Sequence, residues 1–206
     1  QWIDLTVKAE QAGTDMVELG LACPQGAMLE DEEEADGYML CQDAILTERV
    51  TRWVKDTAKD MRVQVKIGSA VTDIIPIAQA IARGGGDSIC AIDSLGGVVG
   101  VDLDNLSPMP SVQGAASIGG YAGRAIKPVG LRCVAEVAGA VSLPISAVGG
   151  IYNWQDAVEY MLLGGTPLQV CTAVMHRGFG IVDDLQDGMA RWLAEKGYSN
   201  PADIVG

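Results

Sequence analysis

The 206-residue chain carries 27 acidic and 14 basic side chains, which gives a formal net charge of −13 at pH 7, and 49% of its residues are hydrophobic. This length and apolar content suffice for one sizeable core, and no Pro/Ser-rich linker divides the chain, so we expect one domain over 1–206. The negative charge would repel a phosphate backbone and an anionic membrane surface, which argues against nucleic acid as a partner. No apolar run approaches the ~18 residues of a membrane span.

Short apolar runs alternate with helical periodicity from end to end, and this pattern predicts βαβ units with a parallel sheet. Five strands are predicted, at 16–21, 63–67, 88–92, 144–148 and 167–171. Helices are predicted near 2–12, 43–59, 73–84, 125–140, 154–163 and 183–196. A complete (β/α)8 barrel needs about 250 residues and eight strands, so the pattern predicts an incomplete barrel. We expect a fragment that lacks the N-terminal barrel strands; completion of the barrel by a partner is the alternative.

The first predicted strand runs into the sequence ELGLACP at 18–24, where a cysteine is followed by proline. Residues just past the carboxyl end of a parallel strand line the ligand crevice of α/β proteins, so Cys23 is a candidate catalytic residue. A thiol with an ordinary pKa of about 8.5 is mostly protonated at pH 7 and can donate a proton. The alternative is a small apolar cysteine that completes a core strand.

The five cysteines include no C-x-x-C pair. Such a set is typical of reduced thiols and favours a cytoplasmic protein. The spacing offers neither a zinc site nor an iron–sulfur ligand set within this chain, so no metal site is predicted.

Glycine-rich corners follow the last two predicted strands, at Gly149-Gly150 and within 169–173, and a third corner occupies 119–123. In barrels, the loops after the last two strands often bind a phosphate through backbone N–H groups, and glycine permits that close approach. Together the corners predict a phosphate-bearing ligand. Each corner taken alone is more typical of a tight turn.

These motifs resemble the FMN-binding barrel of the dihydropyrimidine dehydrogenase and class 1 dihydroorotate dehydrogenase family, and most closely its dihydropyrimidine dehydrogenase branch. The family motif E-L-N-L-S-C-P corresponds to 18–24, A-K-L-T-P-N-V-T-D-I to 65–74, and G-G-V-S-G-x-A-I-x-P to 119–128. The motif T-G-G-I corresponds to the corner at Gly149-Gly150, and the motif L-Q-V-C-S-A corresponds to the corner within 169–173. The resemblance implies an α/β fold, the (β/α)8 TIM barrel of the dihydroorotate dehydrogenase type, represented here by about its last five strands.

The resemblance also implies FMN as cofactor and an oxidoreductase that acts on a CH–CH group of a small cyclic substrate, with Cys23 as the proton donor. Lys66 would place a cation near the pyrimidine edge of the flavin, where negative charge collects on reduction. The implied cofactor-binding residues are Lys66, Asp93, Ser94, Gly120, Gly149, Gly150, Cys171 and Thr172. The last five of these would bind the phosphate. The implied substrate-binding residues are Gly20, Asp93 and Ser94.

The sequence departs from the family pattern at the substrate end. Gly20 stands where the family has asparagine, and Asp93-Ser94 stands where it has asparagine and threonine. Because those amides hold the pyrimidine in relatives, we expect uracil and thymine to be poor substrates. The loop 25–41 contains the acidic run 30–34, which is typical of a solvated loop; a surface for a cationic partner is the alternative.

The family resemblance further implies an oligomeric protein that receives electrons from NAD(P)H through an iron–sulfur or flavin group on another chain or domain. Two other interpretations stay open. One is a non-redox barrel that binds a phosphorylated metabolite, and the other is a relative whose altered site leaves a structural or electron-relay subunit. His176 is predicted to be a loop residue without a catalytic role.

Overall fold

A parallel five-stranded sheet organises the protein in the computed structural model, which describes residues 1–23, 39–112 and 115–206. The strands, which pair in chain order, are β1 (Met16–Gly20), β2 (Arg62–Ile67), β3 (Ser88–Ala91), β4 (Ile145–Val148) and β5 (Gly165–Gln169). The α-helices of the described residues are α1 (Trp2–Gln11), α2 (Ala44–Thr57), α3 (Ile75–Arg83), α4 (Lys127–Ala140), α5 (Trp154–Leu162), α6 (Thr172–Arg177) and α7 (Ile181–Lys196). None of them is both long and apolar enough to cross a membrane. The alternation of parallel strands and helices confirms the predicted α/β fold class and the incomplete barrel.

Side-chain caps set the starts of two helices that the sequence predicts. Asp43 precedes α2, and its Oδ1 accepts hydrogen bonds from the backbone N–H groups of Ile45 at 2.7 Å and Leu46 at 3.0 Å. Asn153 precedes α5 and exchanges side-chain to backbone hydrogen bonds with Asp156 in a capping box. These bonds satisfy N–H groups that the first helical turn leaves without a partner.

Alternation along the strands separates the core from the face that carries the site. On β2, Val63, Val65 and Ile67 are fully buried in the main hydrophobic core, beneath the helices. Gln64 and Lys66 alternate with them and therefore point to the opposite face of the sheet. This second face is the concave interior of the incomplete barrel, and it carries polar side chains.

The described residues of 95–121, which we call the arm, include small strands between β3 and α4. Leu95–Gly97 pairs with Gly119–Tyr121, and this pairing brings Gly120 opposite Gly96, next to the end of β3. Several large apolar side chains of the arm are exposed: Val98, Val99, Val101, Leu103, Leu106, Met109, Val112, Ile118 and Tyr121. The sequence does not predict these strands, because strands of two or three residues with exposed apolar side chains show no alternation.

The last strand lies two residues earlier than predicted. β5 covers Gly165–Gln169, whereas the sequence predicts a strand over 167–171, because Gly164-Gly165 has the pattern of a turn. Gly165 instead belongs to the strand and packs directly on β4. A Cβ on Gly165 would lie 2.6 Å from the Cβ of Ala147, so the close approach of the two strands requires glycine there.

The residues after β5 form a short helix where the sequence predicts a loop. α6 begins at Thr172, directly after Cys171, and it includes His176. The prediction of a loop at His176 is therefore wrong. A helix of six residues is too short to show the 3.6-residue periodicity from which helices are predicted.

Candidate functional site

A pocket of about 610 Å³ opens at the carboxyl ends of β2 to β5, on the concave side of the sheet. Its wall includes all the residues that the family resemblance assigns to the cofactor: Lys66, Asp93, Ser94, Gly120, Gly149, Gly150, Cys171 and Thr172. These residues come from strand ends and turns that lie far apart in the sequence. The fold therefore assembles them around one cavity.

One end of the pocket has walls of backbone, because its glycines leave no room for side chains. Gly150 has φ of +74°, and a Cβ on it would lie 2.8 Å from the Cβ of Lys127 and 2.9 Å from the carbonyl oxygen of Gly123. A Cβ on Gly120 would lie 2.6 Å from Oγ of Ser94. We call this end the glycine cradle and define it by Gly120, Gly149, Gly150, Cys171 and Thr172. A backbone surface of this kind permits the close approach of an anion to peptide N–H groups.

A polar network lies on the concave face beside the pocket, with Glu18 at its centre. Oε1 of Glu18 lies 3.4 Å from Nζ of Lys66. Oε2 accepts hydrogen bonds from Nε2 of Gln64 at 2.6 Å and from Nε2 of Gln169 at 3.2 Å. Gln169 also donates to Oγ of Ser146 at 2.9 Å. Because Lys66 and Gln169 line the pocket, the network connects directly with it.

The network sets the charges of its members. Burial alone would raise the pKa of Glu18, but hydrogen bonds from its two glutamine partners and the charge of Lys66 lower that pKa below its ordinary value. Burial would lower the pKa of Lys66, but Cys90, Glu18 and Asp93 raise it above its ordinary value. Burial, followed by the charge of Glu18, raises the pKa of Cys90 to about 12. At neutral pH the Lys66 ammonium in the pocket wall therefore lies beside the Glu18 carboxylate, and the Cys90 thiol is neutral.

The turn after β3 presents a carboxylate to the pocket. The N–H of Asp93 donates to the carbonyl oxygen of Ile67 at 2.9 Å, which ties the turn to β2. The N–H of Ser94 donates to Oδ1 of Asp93 at 2.7 Å and fixes the carboxylate orientation. An ionised carboxylate only accepts hydrogen bonds, so this wall favours N–H or O–H donors on a ligand.

A cluster beside the glycine cradle was not predicted from the sequence. Tyr152 lines the pocket, and its hydroxyl lies 3.1 Å from Nδ1 of His176. The guanidinium carbon of Arg124 lies 4.6 Å from the centre of the Tyr152 ring. A Cβ on Gly123 would lie 3.3 Å from the Tyr152 hydroxyl, so the tyrosine packs closely on Gly123. No motif marks this residue, and its position just after the Gly149-Gly150 corner is the sole sequence signal.

Cys23 does not line the pocket; it follows β1 by three residues. Its side chain is exposed, and the predicted loop that follows it, with the acidic run 30–34, falls almost wholly within 24–38, outside the described residues. Cys41 differs in its environment: it is buried, its N–H donates to the carbonyl oxygen of Leu21 at 3.0 Å, and burial raises the pKa of its thiol. Of these two cysteines, Cys23 is the one accessible to a ligand.

Gly20 lies one strand away from the pocket wall. It pairs in register with Lys66. A Cβ on Gly20 would meet no atom of the described residues within 4 Å. The position therefore has room for a side chain that this sequence does not supply.

Comparisons with known proteins agree on one family. The family model described as dihydroorotate dehydrogenase matches residues 6–193. The chain is 36% identical to the NAD-dependent dihydropyrimidine dehydrogenase subunit PreA of Escherichia coli K12, over 100% of this chain and 49% of that protein. It is 35% identical to the dihydroorotate dehydrogenase B (NAD(+)) catalytic subunit of Pyrococcus horikoshii, over 93% of this chain and 59% of that protein. It is 31% identical to the chloroplastic dihydropyrimidine dehydrogenase (NADP(+)) of Arabidopsis thaliana, over 100% and 48%.

A solved structure shows the same fold. The crystal structure of DHODH in complex with ferulenol from Eimeria tenella superposes with a TM-score of 0.76 at 18% sequence identity, and the match covers 100% of this chain and 57% of that one. The chain spans about half the length of the curated relatives it matches.

Proposed function

Because the chain belongs to the dihydroorotate dehydrogenase family, we propose that residues 1–206 form the FMN-binding barrel domain of an oxidoreductase. This enzyme would reduce a C=C bond of a small cyclic substrate, or form one by oxidising a CH–CH bond. The observation that carries the proposal is the single pocket whose wall contains every residue assigned to the cofactor.

The glycine cradle supports FMN as the cofactor. At Gly120 and Gly150 a Cβ would collide with neighbouring protein atoms, so this wall consists of backbone that a phosphate can contact. The pocket volume of about 610 Å³ suits a ligand of the size of FMN. FMN, when bound, supplies hydride transfer to or from carbon. Gly149, Cys171 and Thr172 would hold its phosphate, and Asp93 and Ser94 would line the adjoining wall.

Lys66 supplies a positive charge to the same pocket. Its ammonium is partly buried, and its raised pKa keeps it protonated at neutral pH. A fixed cation stabilises negative charge that develops beside it, and in a partly buried site this interaction is stronger than in water. We therefore assign Lys66 to the stabilisation of the reduced cofactor.

Cys23 is the proposed proton donor. Reduction of a polarised double bond needs a proton at the carbon next to the one that receives hydride. A thiol is mostly protonated at pH 7 and can supply that proton. The exposed position of Cys23 at the end of β1 supports this role, whereas the burial of Cys41 does not.

Gly20, Asp93 and Ser94 are the proposed substrate-binding residues. The carboxylate of Asp93 would accept an N–H or O–H group of the substrate and repel a carbonyl oxygen. Gly20 offers no side-chain donor. We infer a substrate with a donor group that faces Asp93 and with fewer carbonyl groups than uracil.

The electron donor and the assembly are also proposals. The Escherichia coli and Pyrococcus horikoshii relatives are named as subunits, and the relatives' names include NAD or NADP. We propose that this chain works in an oligomer with an NAD(P)H-oxidising or iron–sulfur subunit or domain. The free cysteines favour a location in the cytoplasm.

Anaerobic spectroscopy tests the proposal. The purified protein should be yellow, and a substrate or a reductant should bleach its flavin absorption reversibly. Substrate-dependent bleaching should be lost in Cys23→Ala, while bleaching by dithionite should remain. A colourless protein that binds phosphorylated metabolites would instead support a non-redox barrel. A flavoprotein whose turnover is unchanged in Cys23→Ala would support an electron-relay subunit.

A further inference from the structure

Glu18, on the edge strand β1, contacts a side chain of the opposite edge strand, β5. β1 and β5 are the first and last strands in the pairing order, yet Gln169 of β5 reaches the carboxylate of Glu18 at 3.2 Å across the concave face. Lys66 and Gln64 of the neighbouring β2 contact the same carboxylate. Glu18 therefore links two residues of the pocket wall, Lys66 and Gln169, that come from different parts of the barrel.

The strand register explains why Lys66 turns toward Glu18. Lys66 pairs with Gly20 on β1 and with Cys90 on β3. Gly20 places no side chain beside the lysine, and Glu18 lies two residues earlier on the same face of β1. The Lys66 side chain can lean across Gly20 and bring its ammonium to 3.4 Å from the carboxylate.

The surroundings of Lys66 and Glu18 determine how strongly their charges interact. The side chains of Lys66 and Glu18 are 20% and 31% exposed, so solvent screens their interaction less than it screens a surface pair. Among the described residues, the titratable groups that influence Lys66 are Glu18, Asp93 and Cys90. Cys90 is neutral at pH 7. The two carboxylates are therefore the negative charges that oppose the lysine.

We propose that Glu18 is a positioning residue that holds the Lys66 ammonium at the pocket wall and partly neutralises its charge, which makes reduction of a bound flavin less favourable. The inference rests on the proposed function, because it concerns a flavin in this pocket. Reduction adds negative charge to the flavin, so a fully charged lysine favours the reduced form and a nearby carboxylate opposes it. Glu18 would thus change the reduction equilibrium of the flavin through its effect on Lys66.

The flavin reduction equilibrium of the holoprotein tests this role. Glu18→Gln keeps the size of the side chain and removes its charge. We expect an increase of about tenfold in the equilibrium constant for two-electron reduction, which corresponds to about 30 mV. Lys66→Met should change the constant in the opposite direction. The measurement is equilibration with a reference dye under anaerobic conditions, and Glu136→Gln, which removes an exposed carboxylate paired with Arg132 on α4, is the matched control.

A double-mutant cycle separates positioning from simple structural support. If Glu18 acts through Lys66, Glu18→Gln should have a smaller effect in the Lys66→Met background than in the wild type. An unchanged reduction equilibrium in Glu18→Gln, or the same change in both backgrounds, would overturn the inference. Thermal unfolding of each variant identifies any change that comes from loss of the fold, and Glu18→Asp, which keeps the charge on a shorter side chain, should show an intermediate equilibrium.

Chemical labelling tests the ion pair without reference to the flavin. Loss of the Glu18 carboxylate should lower the pKa of Lys66, so acetic anhydride should acetylate Lys66 severalfold faster near pH 9 in Glu18→Gln than in the wild type. The rate at the exposed Lys8, measured by peptide mass spectrometry in the same sample, should not change. Equal rates at Lys66 would overturn the inference. A protein that contains no flavin but shows the labelling difference would contradict the proposed function and leave the ion pair established.

Discussion

At the cradle end of the pocket, a Cβ on Gly150 would lie 2.8 Å from the Cβ of Lys127, whereas on β1, one strand away from the pocket wall, a Cβ on Gly20 would meet no described atom within 4 Å. The cradle is built from backbone that packs too closely for side chains. The proposed substrate side, with Gly20 and Cys23 on the β1 segment and Asp93 after β3, includes side chains that are not packed into the core. Substitutions of these side chains should change ligand recognition at little cost to the fold, whereas substitutions in the cradle should strain the backbone.

The largest expected effect concerns the substrate. Gly20 lacks the side-chain amide that the family asparagine supplies. The negative charge of the Asp93 carboxylate would face a carbonyl group of uracil or thymine. Each unpaired buried polar group costs about 1–3 kcal/mol, so the two losses should weaken binding of these pyrimidines by roughly 10²–10⁴-fold. Steady-state assays with uracil and thymine measure this. A micromolar KM with normal turnover for either compound would contradict it.

A variant with asparagine at both positions tests the same roles of Gly20 and Asp93 from the opposite direction. Because Gly20 has open space among the described residues, Gly20→Asn combined with Asp93→Asn should restore part of the lost affinity for uracil. Gly20→Asn alone should leave the flavin content unchanged, because Gly20 does not line the pocket. If the double variant binds uracil no better than the original protein, the proposed roles of these positions are wrong.

The next effect concerns proton transfer. Cys23→Ser should slow substrate turnover by roughly 10²-fold or more, the usual scale for a general acid, because a hydroxyl is a much weaker acid than a thiol. Flavin binding should be unaffected. Cys41→Ser is the matched control, since Cys41 is buried away from the pocket wall. A larger loss in the chemical step for Cys41→Ser than for Cys23→Ser would reverse the assignment.

At the cradle end, a single methyl group should matter. Gly150→Ala forces a Cβ against Lys127 and strains a residue with φ of +74°, so FMN affinity should fall by about tenfold or more, on the basis of about 1–3 kcal/mol of backbone strain. Fluorescence titration of the flavin measures the affinity. Gly139→Ala on α4 is the control, because its Cβ would meet no described atom within 4 Å. Equal affinity in both variants would show that the cradle is not the phosphate site.

The amino-terminal ends of the strands, opposite the pocket, provide a reference region that should affect stability alone. Asp87 precedes β3 and contacts Nζ of Lys55 at 2.6 Å, Nη1 of Arg62 at 3.1 Å and the N–H of Val63 at 2.8 Å. Burial alone would raise the pKa of Asp87, but these three contacts lower it below its ordinary value. Its contribution to stability is therefore present at neutral pH and is lost as the pH falls through the lowered pKa.

Asp87→Asn should accordingly lower the free energy of unfolding by about 1–3 kcal/mol at pH 7. Urea unfolding at a series of pH values measures this, and the difference from the wild type should shrink below about pH 4. Flavin affinity should stay the same. A difference that grows on acidification would contradict the linkage.

Much of the barrel could be predicted from the sequence because its strands and helices are long enough to show a period. β2 and α2 lie within a residue or two of their predicted bounds, and Asp43 and Asn153 mark helix starts by their capping chemistry. The arm could not be predicted, because its strands are too short for alternation. The predicted bounds of β5 are two residues too late, because glycine at 165 is required by a tertiary contact with Ala147 that the local sequence does not show.

The candidate site divides in the same way. The pocket residues could be proposed from motifs, since each lies at a strand end or a glycine corner. The contact between Tyr152 and His176 could not be predicted, because it joins the turn after β4 to α6 and no local sequence pattern indicates it. The role inferred for Glu18 needed the structure as well, because its bond to Gln169 spans the whole sheet.

The identity of the cofactor tests the central claim most directly. Heating the purified protein and separating the released flavin by chromatography gives both its chemical form and its amount per chain. The account predicts FMN at one molecule per chain, because the glycine cradle suits a terminal phosphate and no G-x-G-x-x-G motif opens a helix for a second nucleotide. Release of FAD, or of no flavin from protein reconstituted with FMN, would contradict it.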